Sequence, residues 1–147
     1  MEMVLFIGVP ASGKSSFYKE RFFLSHVRIN RDMLKTRRRE ELLIRACFDG
    51  KTKFVVENTN LTRVVRAPYI ALAKNAEFRV VGYFFDLPAP EAVNRNKARP
   101  EPERVPAVAI WAARKRLEPP TLDEGFDELH TVTFDSTGTK SIQTRIL

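Results

Sequence analysis

The chain has a single cysteine, Cys47, so no intrachain disulfide can form. Its two histidines, His26 and His130, stand at no metal-ligand or triad spacing, which assigns both to structure rather than chemistry. No stretch approaches the roughly 18 consecutive apolar residues of a membrane span. The N-terminus carries Glu2 and no basic segment, and Pro10 interrupts the first apolar run, unlike a signal peptide. The expected setting is cytoplasmic, or nuclear in a source with a nucleus. Repeats, low-complexity tracts and linkers are also missing, so the 147 residues are expected to form one domain, 1–147. Hydrophobic residues make up 44% of them, enough for a full core. Charge is lopsided: 25 basic against 18 acidic side chains leave +7, a balance that suits phosphate-rich partners and also an ordinary basic surface.

What is present begins with Gly8-Val9-Pro10-Ala11-Ser12-Gly13-Lys14-Ser15. It fits the phosphate-binding loop pattern G-x-x-x-x-G-K-[ST] at every fixed position. Met3 to Ile7 before it reads as a buried strand, and Ser16 to Phe23 after it as a helix start. Backbone N–H groups of such a loop converge on one point, and the helix dipole adds to the field that holds phosphate. The expected nucleotide contacts are Gly8, Ala11, Ser12, Gly13, Lys14, Ser15 and Ser16. Lys14 reaches the β- and γ-phosphates of a nucleoside triphosphate, and the Ser15 hydroxyl binds Mg²⁺.

Apolar runs alternate with helix-like segments along the rest of the chain. Strands are expected at Lys53 to Glu57 and Phe78 to Phe85, with shorter ones at His26 to Ile29 and Thr131 to Phe134. Helices are expected at Arg31 to Phe48, Arg63 to Asn75, Glu91 to Ala98 and Ala107 to Leu117. Pro68 sits awkwardly in the second of these. The alternation predicts an α/β fold, a parallel sheet covered by helices on both faces. Ligands bind outside the carboxyl ends of such strands. Phe22, Phe23, Phe48, Phe84, Phe85 and Trp111 read mostly as core. Residues 138–147 carry no pattern that assigns an element.

Ile29-Asn30-Arg31-Asp32 closes the short strand and opens a helix. Asn30 or Asp32 suits an N-cap. If the short strand lies beside the strand before the loop, Asp32 faces the γ-phosphate and can accept a proton from an attacking hydroxyl. Val55-Val56-Glu57 ends another strand on a carboxylate suited to orienting Mg²⁺, with Asp86 as a rival that reads better as a helix cap. Asn58, Thr59 and Asn60 suit either a turn or substrate contacts. Arg95 to Pro106 holds three prolines in its second half and cannot be one helix, so residues 95–106 read as a lid. Lys35, Arg37, Arg38, Arg39 and Arg45 crowd one helix, with Arg63 and Arg66 beyond, and would form a groove for a nucleic-acid backbone. Glu40 and Glu41 argue that part of that helix is a salt-bridged, solvated face.

The loop, Ile29-Asn30-Arg31-Asp32 and Glu57-Asn58-Thr59-Asn60 together resemble the polynucleotide 5′-hydroxyl kinases of phages and animals. Glu118 to Phe126 is similar to the end of the kinase domain in animal polynucleotide kinase-phosphatases, and the similarity spans Met3 to about His130. The resemblance implies a P-loop NTPase of adenylate-kinase-like architecture, with ATP as donor, Mg²⁺ as cofactor and the 5′-OH end of DNA or RNA as acceptor. It implies Asp32 as general base, Lys14 and Arg99 on the transferring group, Arg95 as a second lid contact and Ser15 with Glu57 at the metal. Acceptor contacts follow as Arg31, Lys35, Arg38, Asn58, Thr59, Asn60 and Arg63. Lys35 stands where some members of that family carry a phosphate-holding arginine, so the bidentate fork is lost there. No D-x-D-x-T phosphatase motif is present, so a kinase alone is expected. A small-metabolite kinase of the gluconate-kinase type and a non-catalytic ATP-binding module are the alternatives. A GTPase is disfavoured, because Asn96-Lys97-Ala98-Arg99 has arginine where N-K-x-D needs aspartate.

Overall fold

The computed structural model describes residues 1–146; Leu147, part of the unassigned tail, lies outside them. In chain order the elements are β1 (Glu2–Ile7), α1 (Lys14–Arg21), β2 (Val27–Ile29), α2 (Arg31–Leu34), α3 (Arg37–Asp49), β3 (Phe54–Val56) and α4 (Arg63–Asn75). Then follow β4 (Arg79–Phe85), α5 (Ala89–Lys97), α6 (Ala107–Arg116), β5 (Glu128–Phe134) and β6 (Lys140–Ile146). One six-stranded sheet runs in the order β2-β3-β1-β4-β5-β6. Its first five strands are parallel, and β6 returns antiparallel to β5.

The unbroken apolar run of β1 follows from its central place, since a strand covered on both faces has no polar side. Its residues alternate between two cores, as the two-residue period demands. Met3, Leu5 and Ile7 enter a core shared with Ile44 and Cys47 of α3 and Ile70 and Ala73 of α4. Val4 and Phe6 enter the opposite core with Phe17 of α1 and Phe85 of β4. Phe6, Phe17, Phe22, Tyr83 and Phe85 interlock there with ring centroids 5.1 to 6.0 Å apart. A third core joins Val9 and Leu61 to Ala92 of α5 and Ile110 and Ala113 of α6. It seats both late helices over the carboxyl ends of the strands.

Several expectations change. The short strand β2 is not beside β1; β3 lies between them and β2 is the sheet edge. The helix expected over 31–48 is two, because Lys35 adopts φ 73° and Thr36 caps a new start through its hydroxyl to the Arg39 N–H. Pro68 leaves α4 continuous, since it lies on the exposed side where water can satisfy the freed carbonyl. Residues 140–146 of the unassigned tail form β6, ordered by the ladder with β5. Phe23 and Trp111 are not core: they are 67% and 52% exposed. Asp86 caps no helix, and its carboxylate accepts from Arg114 Nη2 at 3.3 Å. No helix among the described residues is long and apolar enough to cross a membrane.

Candidate active site

The loop after β1 closes over the carboxyl end of the sheet. Gly8 donates its N–H to the Thr59 carbonyl at 3.0 Å, joining the loop base to the segment after β3. A Cβ on Gly8 would lie 2.8 Å from Ser12 Oγ and 3.0 Å from Phe85 Cβ, so only glycine permits this approach. Gly13 opens α1 with φ 94°, a left-handed conformation that frees the helix N-terminus to face the loop. A side chain there would meet Arg95 Nη2 and Phe134 Cζ, both at 3.2 Å.

Lys14 is buried and folded back on its own loop. Its Nζ donates to the carbonyls of Gly8 at 3.0 Å and Val9 at 2.6 Å and reaches Ser12 Oγ at 3.3 Å. Burial pushes its pKa down to about 8. Three charges act on it besides: Glu57 and Asp32 favour the ammonium, and Arg99 opposes it.

Glu57 is 2% exposed and works as a clamp. Its Oε1 accepts the Ser15 hydroxyl proton at 2.6 Å, and its Oε2 accepts from Arg28 Nε at 2.6 Å and Asn30 Nδ2 at 3.1 Å. With its proton directed to Glu57, the Ser15 oxygen keeps its lone pairs free for a cation, so this donor set fits Mg²⁺. Glu57 itself is held by Arg28, and it orients Ser15 rather than offering an open ligand face. Among the described residues no cluster of three His, Cys, Asp or Glu side chains forms a metal cage.

Asn30 resolves the capping question. Its Oδ1 accepts the Met33 N–H at 2.9 Å, and its Nδ2 also donates to the Glu57 carbonyl at 2.8 Å. Asp32 is therefore released from capping. It is exposed and accepts no hydrogen bond among the described residues, while remaining in the field of Lys14.

Beside α2, where acceptor contacts were expected, buried Glu40 is a hub. It receives Arg31 Nε at 3.1 Å, Arg31 Nη2 at 3.0 Å, Asn58 Nδ2 at 3.1 Å and the Tyr69 hydroxyl. Asn58 Oδ1 accepts the Arg31 N–H at 2.9 Å. Desolvation, then the bond to Glu40, pushes Tyr69 up to about 12. Arg31, Asn58, Thr59, Asn60, Leu61, Val65, Tyr69 and Arg116 line a cavity of about 200 Å³ at this wall. The expected contacts divide accordingly. Arg31, Asn58 and Thr59 reach the cavity. Asn60 lines it but is 2% exposed, and its Nδ2 donates to the Phe6 carbonyl at 2.8 Å, so it ties the turn to β1 instead of greeting a substrate. Lys35 and Arg38 are exposed outside it, and Arg63 is drawn to Asp123 at 3.1 Å. Arg66, expected in a basic groove, is fully buried, donating to Glu124 at 2.8 Å and 3.0 Å and to the Asn60 and Leu61 carbonyls. Glu40, expected on a solvated face, is buried here, and Tyr69 and Arg116 carry no local signal for this site, since only the fold brings α3, α4 and α6 together.

The lid is compact. Asn96 braces it by bonding both backbone groups of Val105, at 2.7 and 3.1 Å, and Arg104 Nε donates to the Arg99 carbonyl at 2.7 Å. Arg99 is half-buried, and its charge is among those that lower the Lys14 pKa. Arg95 lies 5.0 Å over the Phe134 ring, against Gly13. Arg95 and Phe134 line a second cavity, of about 250 Å³, with Leu87, Glu91 and the Asp135–Gly138 turn, and Arg99 is not part of its lining. Ala11 holds a left-handed φ of 62°, Ser12 is buried and Ser16 is exposed.

The chain is similar to several known proteins. The chain is 28% identical over 142 residues to a bifunctional polynucleotide phosphatase/kinase of Schizosaccharomyces pombe, covering 90% of this chain and 34% of that one. It is 31% identical over 140 residues to a putative bifunctional polynucleotide phosphatase/kinase of Acanthamoeba polyphaga mimivirus, covering 90% and 33%. The chain thus spans about a third of the length of these curated relatives. A gluconokinase structure from Sinorhizobium meliloti shares the fold at a TM-score of 0.62 and 18% identity, covering 90% of this chain and 82% of that one. Residues 3–120 match the family model described as the AAA domain, and the chain belongs to that family, built on a P-loop kinase fold.

Proposed function

We propose that residues 1–147 act as one kinase unit that transfers the γ-phosphoryl group of ATP to a 5′-hydroxyl end of DNA or RNA. The observation that carries this reading is Asp32: an uncapped, unpaired carboxylate in the field of the loop lysine. The named relatives point the acceptor toward polynucleotides. In this reading ATP lies along the loop, with its phosphates on the N–H groups of residues 11–16 and its base in the cavity that Arg95 and Phe134 line together. Lys14 leaves its carbonyl partners for the β- and γ-phosphates. Mg²⁺, held through Ser15, would neutralise charge between those phosphates. Asp32 takes the proton of the acceptor hydroxyl as the new O–P bond forms. The bond from the γ-phosphorus to the β–γ bridging oxygen breaks, and that oxygen leaves with ADP. Lys14 and Arg99 hold the equatorial charge, the main task in phosphoryl transfer.

The gluconokinase's fold supports a second reading, a small polyol acceptor on the same scaffold. Incubation with γ-labelled ATP, Mg²⁺ and a panel of 5′-OH DNA, 5′-OH RNA and gluconate separates the two. Label on nucleic acid ends, lost about 10²–10⁴-fold in Asp32→Asn at unchanged ATP affinity, supports the first. Label only on the polyol, or full activity in Asp32→Asn, overturns it.

A further inference from the structure

The carboxylate nearest the metal-binding hydroxyl is answered by a cation. Arg28 stands opposite Val55 in the β2–β3 ladder, and Val55 enters the core under α1. The register therefore turns Arg28 to the α1 face of the sheet. There its guanidinium lies 5.9 Å over the Tyr18 ring, and the Tyr18 hydroxyl donates to the His26 carbonyl at 2.7 Å, which fixes that ring. Arg28 Nε donates to Glu57 Oε2 at 2.6 Å, and Ser15 Oγ donates to Glu57 Oε1 at 2.6 Å. Ser15 and Tyr18 are three residues apart on α1 and share a helix face. Contacts from α1, β2 and the end of β3 thus close a ring around buried Glu57.

Mg²⁺ is ordinarily held through one or two carboxylates together with substrate phosphates. Here one Glu57 oxygen takes the Ser15 proton and the other takes Arg28, so the carboxylate charge is already balanced. Lys14, the residue before Ser15, is a second cation in the field of Glu57. Without nucleotide, a cation at Ser15 meets a neutral hydroxyl oxygen and two neighbouring positive charges. A triphosphate brings the missing negative charge with it. We propose that Arg28 is a positioning residue that, by holding Glu57, keeps free divalent cations out of the site, so that the metal loads only together with the nucleotide. This goes beyond the proposed function; it rests on the donor half of that reading and is independent of the acceptor.

The test titrates Mn²⁺ into the protein and follows the free ion by electron paramagnetic resonance, with and without a non-hydrolysable ATP analogue. It compares wild type, Arg28→Lys, Arg28→Gln, Arg28→Met and Arg79→Met, each checked for folding by circular dichroism. Arg79 is the control: it also forms an ion pair, with Glu128 at 2.9 Å, but at the start of β4, away from the loop. Without nucleotide, wild type, Arg28→Lys and Arg79→Met should leave Mn²⁺ free. The neutral variants Arg28→Gln and Arg28→Met unbalance Glu57 and should bind Mn²⁺ about 10–100-fold more tightly than wild type. Rescue by Arg28→Lys separates the charge from the shape of the side chain. Nucleotide-free binding as tight in wild type as in the neutral variants, or no gain in either folded neutral variant, overturns the proposal. If neither folds, wild type alone decides: Mn²⁺ taken up only with the analogue upholds the proposal, and tight uptake without it overturns the proposal. Wild type that takes up no Mn²⁺ with the analogue refutes the donor reading instead, and the nucleotide-free comparison still judges Arg28.

Discussion

Lys14 makes ATP affinity a function of pH in a range where most lysines are inert. In the free protein its ammonium is buried and its pKa stands at about 8, because desolvation outweighs the help from Glu57 and Asp32. A bound triphosphate places several negative charges beside it and restores the ammonium. Binding above about pH 8 therefore takes up a proton, and affinity falls as pH rises. At about pH 9, one unit above the free value, roughly a tenth of the free protein carries the charge. ATP should bind about tenfold more weakly than at neutral pH, about 1.4 kcal/mol. Calorimetry in buffers of different ionisation enthalpy should record uptake of about half a proton at pH 8 and about 0.9 at pH 9. ATP's own phosphates are already ionised there and do not contribute. Lys14→Arg stays charged throughout, so its weaker binding should be flat with pH. A wild-type dissociation constant that is flat from pH 7 to about 9.5, with no proton uptake, refutes the argument.

Other consequences are local. Glu40→Ala leaves Asn58, the Tyr69 hydroxyl and a half-exposed Arg31 without their common acceptor, and should cost about 3 kcal/mol in a denaturant titration. Gly13→Ala forces φ 94° on an L-residue and presses on Arg95 and Phe134 at 3.2 Å; it should lose about 1–2 kcal/mol of stability and weaken ATP binding measurably. Phe134→Ala removes the ring under Arg95 and should reduce ATP affinity about 5–30-fold in a nucleotide titration, leaving the melting temperature lowered by only a few degrees.

What was readable from the sequence was local chemistry. The P-loop is legible because its glycines, lysine and serine are each required within eight residues, and α4 begins where the Thr62 hydroxyl oxygen accepts the Val65 N–H. Partners distant in sequence decide the rest. Arg66 looks like a surface cation until Glu124, fifty-eight residues on, meets it in the core. Glu40 looks solvated beside Glu41, yet Arg31, Asn58 and Tyr69 bury it. The strand β6 has seven residues of mixed polarity and owes its form to the ladder with β5 and to turn bonds on Asp135. The break at Lys35 is a backbone choice, φ 73° at a residue with good helix propensity, and composition alone does not announce it.

The edge position of β2 raises the question of how a three-residue strand places the proposed general base, Asp32. Pairing with β3 supplies a short ladder over Val27, Arg28 and Ile29. Side chains supply the remainder, and they converge on Glu57. Arg28 reaches Glu57 from within β2, Asn30 reaches it from the cap of α2, and the Glu57 N–H donates to the Ile29 carbonyl at 2.8 Å. The first turn of α2, which carries Asp32, is thereby pinned to the residue that also aims the Ser15 hydroxyl. One buried carboxylate thus sets the geometry of both halves of the proposed reaction, the cation-bearing donor and the proton-accepting base. That arrangement explains why Glu57 is spent on Ser15, Arg28 and Asn30: as an open metal ligand it could not hold an edge strand and its base in register with the loop.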